Sequence, residues 1–219
     1  MKRRVVLAVA VSAAVALMTA GCSSGKAKPA AVTGPTYTPT QASAAVILAT
    51  DLPTGYAKDP GYRHDPVPGG CAAVDAVLKT DSQLAPSYSV ASYRNGDSQS
   101  SVDHEVALYA TPAAAAAQFD ALIKALKACP SWSISLGGAT ATLSLTPSRP
   151  DVIGKRSAVL DLKVDSAAEK FRGREVLAVS GNALVSLAES GPAGSNDDPR
   201  IDLLTLTTKL VQRLRAQAG

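Results

Sequence analysis

Residues 175–187 read EVLAVSGNALVSL, and this stretch decides the fold class. Two apolar runs, Glu175–Val179 and Ala183–Leu187, flank Ser180-Gly181-Asn182 with no room between them for a helix, which is the pattern of an antiparallel hairpin. Working outward, Ala158, Leu160, Leu162 and Val164 alternate with polar residues, and Trp132–Leu136 and Thr140–Leu145 flank Gly137-Gly138. Further upstream, Tyr88–Arg94 ends in Asn95-Gly96-Asp97, and Ser101–Tyr109 alternates again with Val102, His104, Val106 and Leu108 on one side.

Helical patterns punctuate these runs without alternating with them. Thr40–Ala49 reads as a short helix capped near Thr40 and stopped by Asp51-Leu52-Pro53-Thr54-Gly55, and Gly70–Leu78 reads as a second. Thr111-Pro112 opens a third with a hydroxyl cap and proline at its first position, and Phe119, Leu122, Ile123 and Leu126 form one buried stripe. A last helix follows the loop Ser190–Pro199, capped by Asp197 or Asp198, and buries Leu203, Thr207, Leu210, Val211 and Leu214. The order is helix, helix, two strands, helix, five strands, helix. It lacks the strand–helix–strand regularity of a parallel sheet, so the fold class is α+β: one twisted, mainly antiparallel sheet with helices packed on it, in a single domain.

The chain has 219 residues and a net charge of +4, which at face value points to an acidic partner. Lys2, Arg3 and Arg4 carry three of those charges; without them 19 basic and 18 acidic residues remain. The body is near neutral, and nothing in it speaks for nucleic acid. The three charges precede an uncharged run, Val5–Ala20, the length of a signal-peptide core and shorter than the roughly 20 residues of a spanning helix. The run ends Thr19-Ala20-Gly21-Cys22, which resembles the lipobox of bacterial lipoproteins. Residues 1–21 are thus expected to be a lipoprotein signal peptide and Cys22 the lipidated first residue of the mature chain. The membrane is then a partner through that lipid, at the outer face of the cytoplasmic membrane. Residues 22–40, rich in Ser, Gly, Lys, Pro and Thr, read as a flexible tether, and 41–219 as the folded domain.

With Cys22 acylated, Cys71 and Cys129 are an even pair in an oxidising compartment, and a disulfide between them is the economical reading. A search for chemistry finds no serine elbow, zinc-protease helix, phosphate loop or EF-hand spacing. His104, between Asp103 and Glu105, reads as a half-exposed or core-edge strand histidine rather than a base or pH sensor, since its acidic neighbours point to the opposite face. His64 is loop-borne and a minor candidate for a ligand contact; Asn196-Asp197-Asp198 reads as helix capping before metal binding. Trp132 and Tyr56, Tyr62, Tyr88, Tyr93 and Tyr109 read mostly as core, with pocket lining the lesser role. The expectation is no catalytic residue, no metal and no cofactor.

Several motifs together resemble the extracellular sensor-type domain of mycobacterial serine/threonine kinase H and the actinobacterial lipoproteins that share it. They are Asp51-Leu52-Pro53-Thr54-Gly55-Tyr56 after a short helix, Cys71 at the start of another, Tyr109-Ala110-Thr111-Pro112 with its Ala-rich helix and Cys129, Val176–Leu187 with Gly181-Asn182, and Leu203–Leu214. The likeness runs from Ala44 to Leu214. It implies an α+β domain with a cleft, apolar at its base and polar on its walls, that takes a ligand. Family members of the kinase type carry two bridges; this domain keeps cysteines for one, and the bridge toward the C-terminal strands is missing. The resulting expectation is a non-enzymatic, membrane-anchored extracytoplasmic lipoprotein whose domain binds a small molecule, a lipid or an envelope protein. A lipid or glycolipid carrier of the cell envelope is the alternative.

Overall fold

The structure, a computed structural model, describes residues 32–61, 69–85, 87–136, 139–167, 170–194 and 201–218. Eight strands form one antiparallel sheet: β1 (Tyr56–Lys58), β2 (Ser87–Asn95), β3 (Ser101–Leu108), β4 (Ser131–Leu136), β5 (Ala139–Pro150), β6 (Ser157–Ser166), β7 (Lys170–Ser180) and β8 (Ala183–Pro192). Their spatial order is β1-β2-β3-β8-β7-β6-β5-β4. Two local meanders, β2–β3 and β4–β8, are therefore joined at the β3–β8 pair, and the chain passes from one to the other through a helix. Strand β1, which precedes another helix in the chain, adds to the outer edge of β2 by a second long-range pairing. The α+β, single-domain reading stands.

The opening hairpin is the β7–β8 pair, with Ser180 opposite Ala183. Its turn is two residues, Gly181-Asn182. Gly181 has φ +54°, and a Cβ there would run into the carbonyl of Pro35, so glycine is required both by conformation and by the approach of another backbone. Both strands run well beyond the expected limits, because Arg174 pairs with Glu189 and Arg172 with Gly191 where alternation of apolar residues has ended.

Helices cover both faces of the sheet. Pro112–Ala128 (α3) lies across β5, β7 and β8 with Ala72–Leu84 (α2) beside it. Together they bury Val74, Phe119 and Leu126 against Trp132, Ile134, Leu143, Leu160 and Leu177. Thr111 caps α3 by accepting the Ala114 N–H. Cys71, just before α2, is bonded to Cys129, just after α3, closing a 58-residue loop. On the opposite face, Leu203–Ala216 (α4) covers Val102, Val159, Val176 and Leu187, and Pro39–Ala44 (α1) packs beside it through Ala42 near Val106 and Val185. The α4 stripe of Leu203, Thr207, Leu210, Val211 and Leu214 is buried as its spacing predicts.

Several boundaries differ from the sequence expectation. The first helix ends at Ala44 and is capped by Thr38, whose capping box with Gln41 outcompetes Thr40. Residues 34–38, assigned above to the tether, belong to the packed domain: Tyr37 is 3% exposed, and Asn182 holds the segment from both sides. Asn182 Oδ1 accepts the Tyr37 N–H at 2.7 Å, its amide donates to the Tyr37 and Tyr109 carbonyls at 3.3 and 2.8 Å, and its backbone N–H donates to Pro35 at 3.1 Å. The last helix is capped by Asp202, not Asp197 or Asp198. Asn196, Asp197 and Asp198 lie outside the described residues, as do Cys22, Tyr62 and His64.

Candidate functional site

A groove of about 430 Å³ opens between the Asp51-Leu52-Pro53 segment and the first turns of α4. Leu52, Ile201 and Leu206 contribute its apolar surface; Asp51, Asp202, Thr205 and Lys209 contribute its polar surface. The segment is shaped by a short 3-10 turn, Ala49–Asp51, in which the Asp51 carboxylate accepts the Leu48 N–H at 2.9 Å. The same carboxylate is gripped from α4. Lys209 and Arg213 stand one helical turn apart and so reach one point: Lys209 Nζ at 2.6 Å, and Arg213 Nη2 at 2.9 Å from each oxygen. Arg213 Nη1 also donates to the Val46 carbonyl at 2.9 Å.

Burial pushes the Asp51 carboxyl up, but hydrogen bonds from Lys209, the Leu48 N–H and Arg213 outweigh it and hold the group below its ordinary value. Its side chain is only 3% exposed while that of Lys209 is 57% exposed, so at this end the groove presents an ammonium rather than the Asp51 carboxylate. Asp202, at the other end of the groove, accepts the Thr205 N–H at 3.1 Å and hydroxyl at 2.7 Å, and these bonds lower its pKa. Arrangement and chemistry suit recognition: an apolar floor with fixed charges at the rim and, among the described residues, no nucleophile paired with a base at either.

Beneath this segment lies His104. The sequence reading placed it half-exposed or at the core edge; it is fully buried, because β2 and β8 flank it and the α1–α4 layer covers its face. Its Nδ1 accepts the Ile47 N–H at 3.1 Å, so the neutral ring carries its proton on Nε2. That atom has no hydrogen-bond partner among the described residues, and neither has the buried Thr207 hydroxyl on α4. Burial, with the nearby Arg213 charge, lowers the imidazole pKa to about 3, against a smaller upward pull from Asp51.

A second polar group sits on the α2–α3 face. Glu175 accepts the Ser186 hydroxyl at 2.5 Å, and Asp103 accepts that of Ser101 at 3.1 Å. Burial raises both carboxyls, and the charges of Glu105 and Asp103 raise Glu175 further. Acids alone make this row, and among the described residues no group of three or more His, Cys, Asp or Glu is placed to hold a metal ion. Nearby, Asp81 accepts the hydroxyls of Tyr88, at 2.6 Å, and Tyr109, tying α2 to the sheet. A second groove, of about 460 Å³, lies at the ends of β6, β7 and β8 beside Lys170, Phe171 and Pro192.

Of the aromatic residues singled out from sequence, Trp132, Tyr93 and Tyr109 are core, while Tyr56 and Tyr88 are half-buried. Sequence reasoning missed the cluster of Asp51, Lys209 and Arg213, reading Asp51 as part of a helix stop and of the motif that carries the family resemblance. The one available signal was the pair of cations four residues apart on α4 with no acid within the helix to match them.

Residues 27–205 match the family described as the PknH-like extracellular domain. The crystal structure of the extracellular domain of PknH from Mycobacterium tuberculosis superposes with a TM-score of 0.59 at 12% identity, covering 83% of this chain and 98% of that one. An uncharacterized protein from Mycobacterium smegmatis gives a TM-score of 0.34 at 12% identity, covering 75% of this chain and 78% of the other. No match was found among curated proteins.

Proposed function

The chain belongs to the PknH-like extracellular domain family, and from that premise we propose that it is a lipid-anchored, non-enzymatic extracytoplasmic sensor-like protein that binds its ligand or envelope partner in the groove between Asp51–Pro53 and α4. The observation that carries this reading is the groove's composition: Leu52, Ile201 and Leu206 beneath a rim of Asp202, Thr205 and Lys209, the apolar-base, polar-wall character that the family resemblance implies. The segment that lines it is also the Asp51–Tyr56 motif on which that resemblance rests.

Anchoring fits the same reading. Lys2-Arg3-Arg4, the apolar core and Ala20-Gly21-Cys22 supply a lipoprotein leader. Residues 23–33 supply a tether before the chain is clasped at Pro35–Tyr37 by the β7–β8 turn. By composition alone, a linker of eleven residues is expected to span roughly 17–20 Å on average. That keeps the domain near the membrane surface on a short lead. Two acyl chains hold such a protein stably where one does not.

Metabolic labelling with a fatty-acid analogue tests the anchor: wild type should label and Cys22→Ala should not, and equal labelling of both would overturn it. Native mass spectrometry of the protein extracted from its own membranes tests the binding mode. A polar small molecule or no retained lipid fits the sensor-like reading. Stoichiometric acyl chains retained beyond the anchor would replace it with the carrier.

A further inference from the structure

We propose that residues 46–53 form an acid-sensitive latch on the groove, held shut by the neutral imidazole of His104. The segment is short: Ile47 is its one fully buried apolar side chain, Val46 and Leu52 pack only in part against the same cluster, and Leu48 is 49% exposed. It is held by polar contacts at four points. Ile47 N–H donates to His104 Nδ1 at 3.1 Å, the Tyr93 hydroxyl donates to the Ile47 carbonyl at 3.3 Å, Arg213 donates to Val46, and Asp51 takes Arg213 and Lys209. Three of these are indifferent to mild acid. The first is not.

Protonating His104 places a second N–H on Nδ1, aimed at the N–H of Ile47, so an acceptor becomes a donor facing a donor. The new charge also meets an unfavourable field. From α4 it faces Arg213; from the 3-10 turn it faces Asp51, whose carboxylate is already bound by Arg213 and Lys209. From β2 it faces the Tyr93 phenol, which donates to Ile47. On β8 and β7 the nearest charges on the same face are Glu189, bonded to Tyr56, and its cross-strand partner Arg174. Among the described residues Nε2 has no acceptor to take up the charge. The folded arrangement therefore excludes the proton, and a state in which the segment has lifted admits it.

Thermodynamic linkage fixes the size of the effect. If lifting returns His104 to its ordinary value of 6.5, the open population grows about tenfold at pH 5.5 and about a hundredfold at pH 4.5 relative to neutral pH. The groove wall Asp51-Leu52-Pro53 leaves with the latch, so a ligand held there is released in acid; that consequence rests on the proposed function, whereas the latch itself does not.

Native-state hydrogen exchange on the full chain in detergent micelles, corrected for intrinsic rates, tests it at pH 7.5, 5.5 and 4.5. The Ile47 amide should be less protected than those of Val176 and Leu187 at each pH, and its protection should fall about a hundredfold from the first pH to the last. His104→Gln, which keeps an acceptor and cannot titrate, should flatten that dependence; if it does not fold, the wild-type slope alone decides. Exchange of Ile47 at the same rate as the central strands, or protection independent of pH, would overturn the latch. Because no ligand enters the experiment, its failure leaves the groove reading standing, and loss of the groove reading leaves the latch standing.

Discussion

The two faces of the sheet are both buried under a pair of helices, yet they are secured by opposite means. On the α2–α3 face the helices are joined covalently through Cys71 and Cys129 and sit on an apolar cluster around Phe119, Leu126, Trp132 and Leu160. On the α1–α4 face the apolar stripe of α4 does comparable work. The chain that completes that face, however, is held by an ion cluster at Asp51 and by a hydrogen bond to a buried histidine. Among the described residues, the buried His104 Nε2 and Thr207 Oγ1 of this second face have no hydrogen-bond partner, and such atoms cost stability. The grip on Asp51 belongs to the same face. It orders the groove wall without burying much surface, and polar contacts of that kind release more readily than a packed core.

Three measurements sharpen or break this contrast. The largest effect is expected from Cys129→Ser. Opening a 58-residue loop should cost about 4 kcal/mol in the chain-entropy treatment, read by urea denaturation at neutral pH. A loss under about 1 kcal/mol would mean the α2–α3 face needs no staple. Next comes acid. The His104 imidazole is lowered from 6.5 to about 3, so the unfolded chain binds the proton first. The stability given by the neutral ring is complete above pH 6.5 and is lost as pH falls from there toward 3, at about 1.4 kcal/mol per unit. Asp51 acts in a separate window: its lowered carboxyl contributes above its ordinary value of 3.8 and fails only below it. Wild type should lose about 2 kcal/mol between pH 6.5 and 4.5, and His104→Gln should lose much less over that range. Equal slopes would remove the buried histidine from the account.

The smallest effects compare the two long helices at their caps. Thr111→Ala opens the start of α3 and should cost about 1 kcal/mol; Asp202→Ala opens that of α4 and should destabilise in the same direction. The contrast predicts that Asp202→Ala also changes amide shifts around Leu52 and Lys209 across the groove, while Thr111→Ala leaves them alone. Identical spectral footprints at the groove would contradict it.

What could be read from the chain follows the range of each interaction. The α3 helix was legible to its ends because its cap, proline and apolar stripe are all local. The β7–β8 hairpin was legible at its centre for the same reason. Its outer halves were not, because Arg172, Arg174 and Glu189 carry no alternation and are strand only through their neighbours. Strand β1, three residues pairing with Tyr93–Asn95, has too little pattern to announce itself. The early residues were misread as tether since Pro35 and Tyr37 look like linker until Asn182, 145 residues away from Tyr37, is seen to hold them. The groove was hidden in the same way. Asp51 meets Lys209 and Arg213 across separations of 158 and 162 residues, and nothing in a linear reading brings them together. His104 was correctly set on the face of Val102 and Val106, but its full burial depended on where α1 and α4 came to rest.

The most direct test of the central claim is a map of where small molecules bind. A library of soluble fragments, titrated against the isotope-labelled protein and followed by amide shifts, should perturb Leu52, Ile201, Thr205, Leu206 and Lys209 as one cluster. Leu206→Ala, which removes part of the groove floor, should weaken those hits. Perturbations gathered instead at the Lys170–Phe171 groove or along the Asp103–Glu175 row, with Leu52 and Lys209 silent, would contradict the assignment of the binding site.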